Sequence, residues 1–289
     1  MSRDYAALMI DLKKSRSYTK EDRNSIQYYI MDVINLLNRL YRREIVREVD
    51  FSAGDEIQGL FASAEAAYLY YRIFSMWLHP VEIRAGIGVG GWDVQIDYKG
   101  TTSQDGPAYH NARFAIKNAD DSEGYPVLFF SGSRSDITIN TIIGGAASIM
   151  AKQSAYQNQI MLMTELLFPI CNYYVRAYDY ITPHDIERFL YEKSEFDHEV
   201  DKIMRPLPLD RLTGSIIEMI DPINAEDVRE ETKFYITSGK QRGIPTKLAS
   251  IMDISRQTIE KTMKAGNIYT ARNMAITAIN EMTNIRWER

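Results

Sequence analysis

The hydrophobic pattern at the start of the chain predicts a strand, a long helix and a hairpin. The run YAALMID, residues 5–11, is apolar up to its final acid, as expected for a strand that is buried on both faces. Apolar residues then recur at helical spacing from Ile26 to Leu40. Two strand-like runs, EIVREVDFS and EIQGLFAS, follow and meet at Ala53-Gly54, where glycine permits a tight turn.

The pattern after the hairpin completes a mixed α+β fold. It predicts a helix over 64–78, a strand in VEIRAGIGVGG, a short strand in WDVQIDY, a helix that begins at Asp105 and Pro107, and a strand in YPVLFFSG. The order is a ferredoxin-like palm, βαββαβ with additions. In that topology the first strand lies in the middle of the sheet, antiparallel to the third. Asp11 is then expected beside Asp55 and Glu56.

From about residue 140 the pattern becomes helical, and it predicts three parts. These are a palm domain over 1–139, a helical connecting region over 140–205 and a helix-turn-helix domain over 206–289, with a boundary at Pro206 and Pro208. In the last part, residues 243–267 predict a helix from Pro245, a short turn, and a second helix capped by Ser255.

Charge distinguishes the end of the chain from the rest. Residues 240–289 contain nine basic and four acidic side chains, a net +5 in a protein whose total is −5, which leaves −10 for the remainder. Such asymmetry indicates a segment that faces nucleic acid or a merely solvated basic surface. The N-terminus has no apolar signal stretch, and no run approaches the length of a membrane span. We therefore expect a cytoplasmic protein without a membrane partner.

Two acids far apart in sequence, Asp11 and Asp55, are candidates for one metal site. Two carboxylates about 4 Å apart repel each other by roughly 4 kcal/mol at an effective dielectric of 20, and a divalent cation removes that repulsion. Mg²⁺ is typically held by one or two carboxylates together with substrate phosphates. The alternative is that the acids of the hairpin only decorate a polar turn. Mg²⁺ or Mn²⁺ is the expected cofactor.

Several motifs carry a family resemblance. LMIDLKKSR and SAGDEIQGLF resemble the acidic motifs of the class III nucleotidyl cyclase and GGDEF palm superfamily, and VEIRAGIGVG and AYHNARFA resemble two further cyclase segments. The combination of DLKKSR, GDEIQGLF, RAGIGVG and DGPAYHNAR with a C-terminal helix-turn-helix is similar to the SatD family of regulators.

The resemblance implies roles for individual residues. Asp11 and Asp55 would bind metal, Glu56 would be a third acid or a base, and Arg113 would bind phosphates and act in catalysis. Tyr109 stands where the cyclase helix usually carries Asn, so the resemblance implies nucleotide binding more than turnover.

Other segments offer further candidate contacts. Ser15 and Arg16 precede the long helix and could bind a nucleotide phosphate near its N-terminus, or could simply be solvated. The glycines of residues 86–91 permit a bulge or the close approach of a ligand to the sheet.

In the second helix of the pair, Arg256 and Gln257 are candidates for DNA base contacts. Thr258 lies beside them on the same outward face. Three lysines are candidates for phosphate contacts: Lys247, Lys261 and Lys264. A helix pair of this shape also serves as a protein-docking module.

Three functions remain open from the sequence. The first is a DNA-binding transcriptional regulator that binds a nucleoside triphosphate with Mg²⁺, a homodimer on double-stranded DNA. The second is an active nucleotidyl cyclase or oligonucleotide synthase that makes a cyclic messenger. The third is a palm fold that serves only for dimerisation.

Overall fold

A computed structural model of the chain describes residues 4–13, 18–96, 103–120, 122–172, 188, 190–193, 195–196, 220–226, 235–240 and 242–285. The fold is mixed α+β and is built on one five-stranded sheet. Its strands are β1 (Tyr5–Leu12), β2 (Ile45–Ala53), β3 (Glu56–Phe61), β4 (Ile83–Gly90) and β5 (Val127–Phe130). None of the described helices is long and apolar enough to cross a membrane.

The order of strands across the sheet is β2-β3-β1-β4-β5. The first strand pairs antiparallel with both β3 and β4, and β5 pairs parallel with β4. The predicted central position of β1 beside β3 is therefore confirmed. The hairpin turn lies one residue later than predicted, at Gly54-Asp55, and Gly54 has the positive φ of 65° that favours glycine there.

The described helices follow the predicted pattern with small differences. They are α1 (Lys20–Leu40), α2 (Ala64–Leu78), α3 (Pro107–Asn118), α4 (Asp136–Ala151), α5 (Ala155–Leu167), α6 (Ile244–Met252), α7 (Arg256–Ala265) and α8 (Ile268–Ile285). The side chains of Thr19 and Ser63 cap α1 and α2. Gly106, and not Asp105, is the N-cap of α3, with Pro107 in the first turn as expected.

Two predictions about strands were wrong in detail. The described part of WDVQIDY contains no strand but only a bridge between Val94 and Asp105. The region after residue 140 is also not purely helical, because β6 (Ile170–Cys171) pairs parallel with β7 (Ile223–Asn224). Two residues per strand leave too short an apolar pattern for a sequence reading to detect.

The sheet is covered on both faces. Ala6, Leu8 and Ile10 of β1 belong to a core cluster shared with α1 and α2. The alternating residues Ala7 and Met9 pack in a second cluster with residues of α3. Successive strand residues point to opposite faces, so α3 lies on the face opposite to α1 and α2.

The glycines of β4 serve the packing of α3. A Cβ added at Gly86 or Gly88 would overlap the backbone of Ala112 in α3. The expectation that these glycines admit a ligand was therefore wrong, because a helix occupies the space in front of them.

The C-terminal helices share the larger core with the sheet. Ile251, Ile259 and Ile276 lie in the same cluster as residues of β1 and α2. A buried ion triad also joins the parts: Glu165 of α5 lies 2.6 Å from Arg72 of α2 and 2.9 Å from Arg272 of α8. The three-part division of the chain stays a prediction, and its boundary at 205 lies outside the described residues.

Candidate functional site

Three charged residues form a row across one end of the sheet. Asp11 of β1 is opposite Glu56 of β3 on one side and opposite Arg84 of β4 on the other. Directly opposed residues in antiparallel strands project from the same face. Glu56, Asp11 and Arg84 therefore share the face that α3 covers further along the sheet.

Two ion pairs join the acids of this row to arginines. Arg84 donates two hydrogen bonds to Asp11 Oδ2, from Nε at 2.8 Å and Nη2 at 2.6 Å. Arg113 Nη1 donates to Glu56 Oε2 at 2.7 Å, and Ser52 Oγ donates to Glu56 Oε1 at 2.9 Å. The arginine side chains are 45% and 44% exposed, so each pair contributes only about 0–1 kcal/mol to stability. Replacing these ion pairs by contacts to a bound ligand would therefore cost little free energy.

Helix α3 places Arg113 over the row. The close contact of Ala112 with the β4 glycines fixes the distance between helix and sheet. Asn111 Nδ2 also donates to the carbonyl oxygen of Val89 at 2.8 Å. Arg113 follows these two residues, and its guanidinium group reaches back to Glu56. Arg113, to which the family resemblance assigns phosphate binding, therefore lies at the acidic end of the sheet.

The carboxylate oxygens that remain available belong to the two acids of the predicted pair, Asp11 and Asp55. In the described part of the chain, Asp11 Oδ1 and the Asp55 carboxylate accept no hydrogen bond, whereas both oxygens of Glu56 do. The register sets Glu56, and not Asp55, opposite Asp11, while Asp55 lies next to it in the turn. No group of three acidic, His or Cys side chains suited to a metal occurs among the described residues. Mg²⁺ is usually held by one or two carboxylates together with ligand oxygens, so it does not require a third acidic side chain.

A neighbouring turn adds positive charge at this end of the sheet. Lys13 follows β1, and its charge contributes to lowering the pKa of Asp120, after the larger effect of hydrogen bonds from Ser122. Ser15 and Arg16, the other predicted phosphate contacts, lie outside the described residues.

Helices α6 and α7 form the predicted pair with a short turn. Asp253, in the left-handed conformation with φ 49°, ends α6, and Ser255 Oγ accepts from Thr258 N at 3.1 Å at the start of α7. Ile259 and Met263 bury one side of α7. The other side exposes all five of the residues predicted to face outward: Arg256, Gln257, Thr258, Lys261 and Lys264.

Some predicted DNA contacts are occupied by bonds within the protein. Arg256 donates to Glu260 from Nε at 3.2 Å and Nη2 at 3.0 Å, and the Thr258 hydroxyl lies 2.9 Å from Ser255 Oγ. Lys247 lies apart from the exposed set, because its Nζ is 3.1 Å from Asp221 Oδ2 and stands 5.1 Å from the ring centre of Phe168. Its predicted role in phosphate contact is therefore not favoured.

A family model described as the SatD family matches residues 5–179. The chain belongs to the SatD family. The match covers the whole sheet and helices α1 to α5, and so it includes the row of charges and Arg113. The helix pair of this SatD family member lies beyond the matched residues. A comparison with curated proteins finds no match.

Sequence reasoning missed two residues of the candidate site. Arg84 was part of a quoted motif, VEIRAGIGVG, but its role became visible only through the pairing that sets it opposite Asp11. Ser52 was overlooked because nothing local indicates that its hydroxyl bonds the Glu56 carboxylate across the hairpin. Counting residues back from the turn on both strands could have placed Ser52 near Glu56, whereas Arg84 also required the pairing of β4 with β1.

Proposed function

We propose that this SatD family protein binds a nucleotide through its phosphates, together with Mg²⁺ or Mn²⁺, at the end of the sheet formed by β1, β3 and β4. The observation that carries the proposal is that three acids and two arginines meet there. Arg84 and Arg113 each hold one acid of the row, and Asp11 and Asp55 keep carboxylate oxygens for a cation. The guanidinium group of arginine can donate two parallel hydrogen bonds to phosphate oxygens, and carboxylate oxygens are suitable ligands for Mg²⁺.

The charge balance of the site supports a ligand that brings both signs. The three carboxylates and two guanidinium groups of the site carry one net negative charge between them, before Lys13 is counted. A bound Mg²⁺ supplies two positive charges and a Lewis acid for phosphate oxygens. The arginines then exchange their carboxylate partners for phosphate oxygens. The strand order β2-β3-β1-β4 is also the order of a ferredoxin-like palm, which supports the resemblance to nucleotide-binding palms.

The role that we propose is binding and not turnover. Tyr109, which stands in place of the Asn of the cyclase helix, is buried in the cluster between α3 and the sheet. Both carboxylate oxygens of Glu56 accept hydrogen bonds, one from Ser52 and one from Arg113, which disfavours Glu56 as a general base. We therefore expect no release of pyrophosphate above that of an Asp11→Asn control.

Calorimetry with ATP and GTP, each with and without Mg²⁺ or Mn²⁺, tests the proposal. Asp11→Asn and Asp55→Asn are expected to reduce the cation-dependent affinity at least tenfold, which corresponds to about 1.4 kcal/mol. Arg84→Gln is expected to weaken binding with and without the cation. Asp253→Asn, in the turn before α7, is the matched control and should bind like the wild type. Absence of binding heat for every nucleotide with either cation would refute the proposal.

We further propose that α7 binds double-stranded DNA, which would make the protein a regulator. The observation in favour is the exposed face of α7, where Gln257, Lys261 and Lys264 have no bond to a described residue. Gln257 and Arg256 stand at the N-terminal end of α7, where recognition helices contact bases. Lys261 suits a backbone phosphate.

Fluorescence anisotropy with a random-sequence duplex at several salt concentrations tests the DNA proposal. Lys261→Gln is expected to reduce the slope of log affinity against log salt by about one, because one phosphate contact is lost. Lys117→Gln, at the exposed end of α3, removes the same charge elsewhere and should leave the slope unchanged. Equal slopes for both variants would contradict the assignment of Lys261.

A further inference from the structure

A concave cleft lies between the loop that precedes α6, helix α7 and the first turn of α8. Its volume is about 640 Å³. Five charged side chains line it. Four are basic, namely Lys240, Arg242, Arg256 and Lys264, and one is acidic, Glu260. Four basic side chains around one cleft are more than isolated charges on a solvated surface would give. The cleft therefore favours an anion as its ligand.

The single acid of the cleft is already neutralised. Glu260 accepts two hydrogen bonds from Arg256, four residues earlier on α7. Arg242 and Lys264 make no ion pair within the part of the chain that the structure describes. The ammonium group of Lys240 lies 5.6 Å from the ring centre of Tyr269, over its face. Three cations therefore remain to bind a ligand.

The loop that carries Lys240 is held firmly against α8. Gly239 N donates to Asn273 Oδ1 at 2.8 Å, and Arg272 Nε donates to the Gly239 carbonyl oxygen at 3.2 Å. Arg272 is fully buried, and a Cβ at Gly239 would lie only 2.6 Å from Asn273 Oδ1. This packing fixes the position of Lys240 before any ligand arrives, which reduces the entropic cost of binding.

The start of α8 contributes a further electrostatic preference for anions. Tyr269 and Thr270, in the first turn of this 18-residue helix, line the cleft. The first backbone N–H groups of a helix lack intrahelical acceptors and carry partial positive charge. They add to the field of the three cations.

We propose that this cleft binds phosphate groups, and that in the complete complex these belong to the backbone of double-stranded DNA beside α7. The proposal rests on the DNA binding proposed above. Arg256 and Lys264 belong both to the cleft and to the exposed face of α7. A duplex that contacts α7 would therefore bring backbone phosphates to the cleft, where Lys240 and Arg242 add contacts that the helix alone does not provide.

Calorimetry with tripolyphosphate in the absence of divalent cations tests the cleft directly. The variant with Lys240→Gln and Arg242→Gln is expected to lose at least tenfold in affinity. A matched variant with Arg134→Gln and Lys152→Gln removes two exposed charges outside both proposed sites and should bind like the wild type. Because the matched variant leaves the end of the sheet intact, as the cleft variant does, the difference between the two double variants reports on the cleft alone. No binding by the wild type, or equal affinities of the two double variants, would overturn the proposal.

Salt-dependent anisotropy with duplex DNA identifies the source of the phosphate. The cleft variant is expected to reduce the salt slope by about two, and the matched variant to leave it unchanged. If the wild type binds DNA and the cleft variant keeps its slope, the cleft proposal fails and the DNA proposal stands. If tripolyphosphate binds through the cleft and DNA does not bind at all, the DNA proposal fails and the cleft is a site for a free polyphosphate.

Discussion

Substitution of Glu165 tests how the sheet is joined to the C-terminal helices. Its carboxylate lies 2.6 Å from Arg72 Nη1 and 2.9 Å from Arg272 Nη1, and all three side chains are at most 2% exposed. Neither Arg72 Nη1 nor Arg272 Nη1 is aligned for a hydrogen bond to this carboxylate, so the attraction in both contacts is mainly between charges. Glu165→Gln would leave two buried guanidinium groups facing a neutral amide. Removing one partner from a buried ion pair costs about 3–5 kcal/mol, and we expect a loss in that range.

Urea unfolding followed by circular dichroism measures this loss. Glu260→Gln is the control, because its pair with Arg256 also spans an acid and an arginine but is exposed and should contribute only about 0.3–0.5 kcal/mol. If Glu165→Gln does not fold, the addition of Arg72→Met should restore folding by removing one of the two uncompensated charges. A loss below about 1 kcal/mol would refute the view that the triad is shielded from water, as would the absence of any rescue.

Two further perturbations test the packing of α3 and the state of a buried histidine. Gly88→Ala should destabilise the fold by about 1–3 kcal/mol, because the added Cβ overlaps Ala112. Gly91→Ala is the control, because a Cβ at that position has room and should cost little in the same urea assay. Equal losses of stability for the two variants would contradict the close packing of α3 on β4. Burial, and then the charge of Lys193, lower the pKa of His79 to about 4 from 6.5. Between pH 6.5 and pH 4 the unfolded chain binds a proton at His79 that the folded protein does not bind. The free energy of unfolding therefore decreases as the pH falls through this range, by up to about 1.4 kcal/mol per pH unit. Unfolding of His79→Gln across this range should lack that part of the slope, and an unchanged slope would exclude His79 as its source.

The position of the candidate site could be predicted from the sequence because it depends on strand order and register. A buried run that ends in Asp11 and a hairpin that starts β3 at Glu56 suffice once the topology is fixed. Arg84 needed the additional pairing of β4 with β1. The ion pair of Glu56 with Arg113 was not predictable, because it depends on where α3 lies over the sheet.

The role of the β4 glycines was misjudged for a physical reason. Glycines in a strand indicate that something approaches the backbone closely, but they do not reveal whether it is a ligand or a helix. The small residues Ala108 and Ala112, spaced four apart in α3, were the complementary signal, because they allow a helix to lie close to a sheet. Reading the two patterns together would have predicted the contact.

The buried triad had no local signal, because its members come from three distant helices, yet it accounts for much of the architecture around the cleft. The guanidinium group of Arg272 bonds the carbonyl oxygens of Phe168 and Gly239 in addition to its contact with Glu165. Apolar side chains of the same volume are often as stable as a buried ion group. They would, however, leave these two carbonyl groups without the donors that Arg272 supplies, and the turn that carries Lys240 without one of its two bonds to α8. The triad is therefore better explained by the geometry that it imposes on the C-terminal cleft than by the stability that it contributes.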